Sequence, residues 1–319
     1  MKTSSSITVL LCTLVMMLCS CEKVVFEDPE NNADILDEGE VRVTLNVARM
    51  GDGTSFGMTR AVVNAADYCS RINFVIYQNG EKLQAITQTA DEDNFGTVSV
   101  TLQAGETYQL MVLAHSCLGN PTLTSPDKIL FKNKNPGFSD TFYYYGDLTI
   151  SEEDTGKREL TLERATSMFR LIITDNIPDI YEEVLFTYTG GSGTFDATKG
   201  YGCVDSTQKE YFDITERSAP QMFEVYTFLR ENEGLLKVIV TFSAPTPFGS
   251  VQRTFTDVPM KRNRITQYSG EFFKDDEDPD NPDNPDNPDN PDNPDNPDSN
   301  SGFSFKMDTE WEGVDEYTF

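Results

Sequence analysis

Apolar and polar residues alternate with a period of two along most of this chain. Val41, Val43, Leu45 and Val47 are separated by Arg42, Thr44, Asn46 and Ala48. That is the pattern of a strand with one buried face. Asp52-Gly53 interrupts it. Ile72 to Tyr77 runs into Gln78-Asn79-Gly80, and Lys82 to Thr87 follows. Asn-Gly between two apolar runs predicts a tight hairpin, because both residues tolerate a positive φ. Val98, Val100 and Leu102 alternate next, Gly105 turns the chain, and Tyr108 to Ala114 is apolar again. A looser stretch holds Pro121, Pro126 and Pro136. Phe142-Tyr143-Tyr144-Tyr145 is aromatic enough either to pack or to present a contact surface, and Leu160-Thr161-Leu162 closes the region.

A second series begins at Glu163-Arg164-Ala165. Met168 to Ile173 and Val184 to Tyr188 read as strands. Phe223 to Leu229 is expected to pair with Leu236 to Phe242 across the turn at Asn232 to Gly234. Arg253 to Val258 and Ile265 to Tyr268 complete the series. Long helical periodicity is missing. Short strands with turn residues between them predict an all-β chain of two β-sandwiches in tandem.

The two ends depart from this pattern. Lys2 and a Ser-rich step precede an uncharged apolar run from Ile7 to Leu18, too short to span a bilayer permanently. Leu18-Cys19-Ser20-Cys21 resembles the lipobox of bacterial lipoprotein precursors. That resemblance implies that Cys21 becomes the first mature residue and carries lipid, with acyl chains of the palmitate kind anchoring it to a membrane. The alternative is an ordinary secretory signal with a buried or paired cysteine. Residues 22–39 are acidic and Asn-rich and read as a flexible tether.

At the other end, residues 279–299 are six Pro-Asp-Asn triplets and one Pro-Asp-Ser. Proline at every third position favours polyproline II, whose carboxylates recur roughly every 9 Å. Successive Asp residues are then too far apart to grip one calcium ion, and the repeat reads as an acidic, semi-rigid spacer. Beyond it Phe303, Phe305, Met307, Thr309 and the only tryptophan, Trp311, fall on one face of an alternating segment. A lone strand must join a sheet edge. It either closes this chain's own second sandwich or enters a neighbour's by strand addition.

The expected organisation is therefore a signal peptide (1–20), a tether (21–39), two sandwiches (40–163 and 164–274), a spacer (275–302) and a terminal strand (303–319). The whole chain carries a net charge of −28, which excludes nucleic acid as a partner. Cys69, Cys117 and Cys203 have no CxxC spacing; Cys69 and Cys117 pair, or all three are small buried hydrophobes. His115 is the single histidine, so a metal site or a His-dependent triad would rest on it alone. No catalytic residues, metal ligands or cofactor are expected.

Several weak motifs in a fixed order resemble the fimbrillin superfamily, the lipoprotein-derived subunits of type V pili, including fimbrium anchoring subunits. They are the lipobox, the Arg164-Ala165 to Ile173 strand leading into Asp175-Asn176-Ile177-Pro178, Phe186-Thr187-Tyr188, and Val258 to Arg264 ending in Gly270-Glu271-Phe272-Phe273. The likeness spans roughly residues 41–319 apart from the Pro-Asp-Asn insertion. It implies two transthyretin-like sandwiches, export to the outer membrane, and other fimbrial subunits as partners. It also implies an Arg-specific cleavage that removes the first strand, for which Arg42, Arg49 and Arg60 are the candidates; each is otherwise an ordinary strand-surface residue. The acidic, cysteine-containing start usual for an anchor is not matched clearly, so anchor, stalk and tip stay open. A second reading is a surface lipoprotein binding glycan or nutrient on Tyr143–Tyr145 and Trp311. A hydrolase has no constellation of residues to rest on.

Overall fold

The computed structural model describes residues 24–27, 36–50, 65–131, 137–151, 157–245, 249–273, 304–306 and 311–319. In the first half, alternation gives β1 (Val25–Glu27), β2 (Glu40–Met50), β3 (Arg71–Gln78), β4 (Glu81–Thr89), β5 (Thr97–Gln103), β6 (Thr107–His115), β7 (Ile129–Leu130), β8 (Thr141–Thr149) and β9 (Lys157–Arg164), with one short 3-10 turn at Ala65–Asp67. All but β7 join one sheet in the order β1-β5-β2-β9-β8-β6-β3-β4. β9 runs parallel to β2 but meets β8 through only two residue pairs, Phe142↔Arg164 and Tyr143↔Glu163. The sheet folds over at that weak seam. Val43, Leu45, Val98 and Val100 on one leaf then face Phe74, Ile76, Leu110 and Val112 on the other. The Asn-Gly hairpin forms as expected, with φ of 52° at Asn79 and 81° at Gly80, the pair of left-handed residues a tight β-hairpin turn requires.

The second half supplies β10 (Ser167–Ile173), β11 (Glu183–Thr189), β12 (Thr194–Asp196), β13 (Tyr201–Gly202), β14 (Gln208–Asp213), β15 (Gln221–Thr227), β16 (Glu233–Ser243), β17 (Ser250–Lys261) and β18 (Ile265–Gly270). The chain end adds β19 (Ser304–Lys306) and β20 (Val314–Thr318). One sheet has the order β15-β10-β18-β20-β19 and the other β14-β11-β16-β17. Phe169, Leu171, Phe186, Phe223, Val238, Val240 and Phe242 form the core between them. The hairpin expected between Phe223–Leu229 and Leu236–Phe242 does not form. β15 pairs with β10, while β16 pairs with β11 and β17. The two strands face each other across the core instead. A period of two marks a buried face equally well in either arrangement, so the pattern alone could not separate them.

The halves share a third core. β7 of the first half pairs with β12 of the second, and β13 extends that small sheet. Val75, Tyr77, Met111 and Leu113 project from the outer faces of β3 and β6 into this joint, beside Phe131, Phe138, Phe195 and Phe228. Phe228 is the hub: its ring centroid lies 5.0 Å from that of Phe131 and 4.9 Å from that of Phe195. β3 and β6 are thus buried on both faces, which is why Phe74–Tyr77 and Leu110–Ala114 are continuous apolar runs.

Two readings of local chemistry are answered here. Cys69, Cys117 and Cys203 are free thiols, the first two buried. His115 is fully buried. Its Nε2 is 3.0 Å from Asn73 Oδ1, and the Cys117 backbone N–H donates to Nδ1 at 3.2 Å. Nδ1 is therefore an acceptor and the ring is neutral. Burial, reinforced by the Arg71 charge, holds its pKa down near 4. The histidine stitches a core.

Candidate functional site

Two chain ends lie on sheet edges, and the C-terminal one occupies a shaped socket. β18 sits between β10 and β20 and is parallel to both; Ile265 faces Val314 and Ser269 faces Thr318. β19 lies antiparallel outside β20. Parallel strands need a long connection between them, and residues 271–313 provide it. Trp311 is only 6% exposed and packs with Met168, Ile265 and Val314.

Arg164 is the floor of this socket. It ends β9, and only Ala165 and Thr166 separate it from β10. Its guanidinium stacks 3.8 Å from the Trp311 ring and 4.7 Å from that of Phe142. Nε donates to both oxygens of Asp140 at 2.9 and 3.0 Å, and Nη1 donates to Asn263 Oδ1 at 2.9 Å. Its side chain is 2% exposed. A cation so deeply buried is tolerable only with such neutralisation, so the terminal tryptophan closes the last face of a site built by both halves of the molecule.

Arg264 grips the incoming strand itself. Its Nη2 donates to Asp315 Oδ1 at 2.7 Å and its Nε to Asp315 Oδ2 at 3.2 Å, a two-pronged pairing that fixes register as well as charge. The Asp315 carboxylate raises the Arg264 pKa further. Two glycines make room. A Cβ on Gly313 would meet the Arg264 guanidinium at 2.6 Å, and one on Gly270 would collide with the Phe319 carbonyl oxygen. Tyr317 stacks on Tyr268, with centroids 4.8 Å apart, and Phe319 meets Phe255 at 5.1 Å. Burial and then Tyr317 push the Tyr268 phenol up to about 12, so the stack is uncharged at any physiological pH.

The N-terminal end is smaller. β1 pairs with β5, with Phe26 opposite Val100, and Val24 and Phe26 are buried in the first core. β1 also approaches β4, so it sits in the seam where the curled sheet nearly meets itself. Glu27 Oε2 lies 2.6 Å from Arg42 Nη2. The stretch expected to be a flexible tether thus contains a docked strand. Three consecutive apolar residues, Val24, Val25 and Phe26, carry it; the acidic, Asn-rich sequence around them masked the signal.

Of the residues singled out from sequence, Cys21, Arg60, Phe303, Met307 and Thr309 lie outside the described residues. Arg42 is half-buried in β2 and paired as above. Arg49 is in the same strand opposite Thr161. Phe305 is in β19 opposite Asp315. Residues 303–319 supply two strands of this sheet: β19 (Ser304–Lys306) at its edge and β20 (Val314–Thr318) against β18, with Trp311 as the plug between them. The tyrosine run is packed. Tyr144 lies against the first core, Tyr145 against the joint, and Tyr143 meets Phe195 at 4.9 Å while Arg262 stacks on its ring at 5.4 Å. With Trp311 also buried, these residues offer no exposed platform for a glycan. Among the described residues no group of three or more His, Cys, Asp or Glu could hold a metal ion.

Residues 33–289 match the profile of a family of unknown function, DUF6562. None of the curated proteins matches the chain. Among solved structures, the chain is similar to an adhesin described as putative from Bacteroides ovatus, at 14% identity over 68% of this chain and 82% of that one, with a TM-score of 0.44. A cell adhesion protein of the same species, also described as putative, is 8% identical over 73% and 91%, with a TM-score of 0.42. The fimbrial anchor protein Mfa2 from Porphyromonas gingivalis is 11% identical over 68% and 82%, with a TM-score of 0.39. Each of these TM-scores is below 0.5.

Proposed function

We propose that this chain, which belongs to the family of unknown function DUF6562, is a non-enzymatic structural or anchoring subunit of a cell-surface fimbria. In this reading it is exported as a lipoprotein on Cys21 to the outer membrane, joins other fimbrial subunits by strand addition, and contributes to adhesion. The observation that carries the reading is the seat of Trp311–Phe319. A strand borne on a long acidic segment, carrying a tryptophan plug and Gly313, ends in a socket with a two-pronged arginine and Gly270 cut to its shape. Nothing in that geometry requires the strand and the socket to belong to one chain. The backbone ladder and the pockets are those of strand addition, and the segment between them sets how the two compete. In the sequence, the likeness to fimbrillins points the same way.

In this reading Cys21 works through the N-terminal seam. Only Glu22 and Lys23 separate it from Val24, roughly 10 Å of extended chain. A lipid there holds the first sandwich directly against the bilayer. Cleavage after Arg42 or Arg49 would take β1 and part or nearly all of β2 out of the sheet and free the molecule; an uncut chain stays at the base. Removing residues 311–319 tests the reading. Detergent-resistant ladders and surface fimbriae are expected to disappear while the monomer stays folded, and ladders of normal length would overturn it. Sequencing the mature N-terminus on the cell separates the roles: lipidated Cys21 marks an anchor, a new end after Arg42, Arg49 or Arg60 a polymerising subunit.

A further inference from the structure

The socket and the seam leave one large feature unused. β14 and β15 are the outermost strands of the two sheets of the second half, and a cleft of about 690 Å3 lies between them. Its side wall comes from the first half, at Ser139 and Asp140. Clefts of this size where two halves of a protein meet are common ligand sites.

The lining decides what fits. It includes carboxylates from Asp140, Glu210, Asp213 and Glu224 and no lysine, arginine or histidine. Two of these are already balanced from behind, Asp140 by Arg164 and Glu224 by Arg170 at 2.8 Å. Glu210 is held by the N–H groups of Gly137 and Phe138, at 3.1 and 2.8 Å. These groups are fixed acceptors with lone pairs to spare, and the paired ones need no counter-charge from a ligand. Between them stand aromatic side chains, among them Tyr211, which is 37% exposed.

An added polypeptide strand fits less well. The edge of β15 is partly taken: Tyr188 Oη donates to the Tyr226 carbonyl at 2.9 Å, Ser192 bridges Phe228, and Thr227 Oγ1 donates to Gln208 Oε1 at 2.6 Å. These contacts close one end of the cleft and leave no continuous ladder. Oriented acceptors beside aromatic rings match a ligand that offers many hydroxyl donors and apolar C–H faces. We propose that this cleft binds a neutral glycan, stacked on the ring of Tyr211 and held through hydroxyl donors to Asp213 and Glu224. The proposal deepens the adhesive part of the fimbrial reading by naming its ligand class.

Native electrophoresis of the full chain through gels containing neutral polysaccharides (dextran, galactomannan, arabinoxylan), with polylysine binding measured alongside, tests it. Retardation by at least one neutral polysaccharide is expected. The Tyr211→Ala, Asp213→Asn double variant is expected to lose at least tenfold in that affinity with an unchanged Tm, since both side chains are on the surface. No retardation in any gel, retardation that the double variant leaves intact, or binding of polylysine alone would each overturn the glycan assignment. The chain lacking 311–319 is expected to keep its retardation, so loss of assembly and loss of glycan binding are separate results.

Discussion

Replacing Trp311 by alanine isolates the energy of the C-terminal seat. The side chain is 6% exposed and lies against Met168, Ile265 and Val314. Truncating a buried aromatic to alanine costs about 3–5 kcal/mol, and the desolvated stack on Arg164, at 3.8 Å, accounts for up to about 2 kcal/mol of that. The docking of the last residues and the cover over Arg164 depend on this contact, whereas the main cores of the two sandwiches do not include Trp311. A loss of 3 kcal/mol or more shifts the docked-to-free ratio of the segment by roughly 100-fold or more. Amide hydrogen exchange reads this directly. Protection across Val314–Thr318 should fall by at least that factor, while β3 and β6 keep theirs. Fluorescence supplies a second measure in the native chain, since Trp311 is its only tryptophan. In rising denaturant its emission should shift to the red before the far-ultraviolet signal of the sheets is lost. If the variant exchanges at 314–318 within threefold of the native chain, the tryptophan is not the plug described here.

Gly270→Ala should displace the chain end, because the new methyl would meet the Phe319 carbonyl oxygen. Faster carboxypeptidase trimming of residues 317–319 checks this, and an unchanged rate would refute it. His115 is held neutral with a pKa near 4, below the ordinary value of 6.5. The unfolded chain therefore binds the extra proton first, and stability is lost as pH falls from about 6.5 toward 4. His115→Gln should flatten the slope of Tm against pH in that window relative to the native chain; parallel slopes would refute the assignment. Burial pushes the Cys69 thiol up to about 12, whereas Cys203 is half-buried with a smaller rise. Iodoacetamide at pH 8 should label Cys203 well before Cys69, as peptide mass spectrometry would show; comparable rates would contradict the burial of Cys69.

The strands were legible because each buries one face. Val41 to Val47 and Val98 to Leu102 could be read directly, and Asn79-Gly80 fixed a hairpin without further help. Pairing across the second core was not legible: β15 and β16 have the same alternation whether they adjoin or oppose each other. β1 was hidden by composition, since three apolar residues are outweighed by their acidic surroundings. At the chain end, Phe303 to Trp311 alternates regularly, whereas the apolar side chains of Val314-Asp315-Glu316-Tyr317-Thr318 are divided between two faces, so the pairing of that part with β18 carried no signal of its own. Arg164, Asn263 and Arg264 gave no sign of their role, because it is made by partners distant in the chain, up to Trp311 for Arg164 and Asp315 for Arg264.

The joint built around Phe228 has a consequence for how the molecule comes into being. Synthesis delivers β3 and β6 long before Phe195 and Phe228 exist. Until the later residues emerge, Val75, Tyr77, Met111 and Leu113 have only first-half neighbours such as Ile129, Phe131 and Phe138 beside them, and β7 has no strand to pair with. The first sandwich can close its inner core early, yet it must wait with a greasy outer wall exposed. Chains in that state stick to one another and to chaperones. A chain truncated between residues 165 and 194 should be folded inside and sticky outside, and completing the joint is what removes that surface.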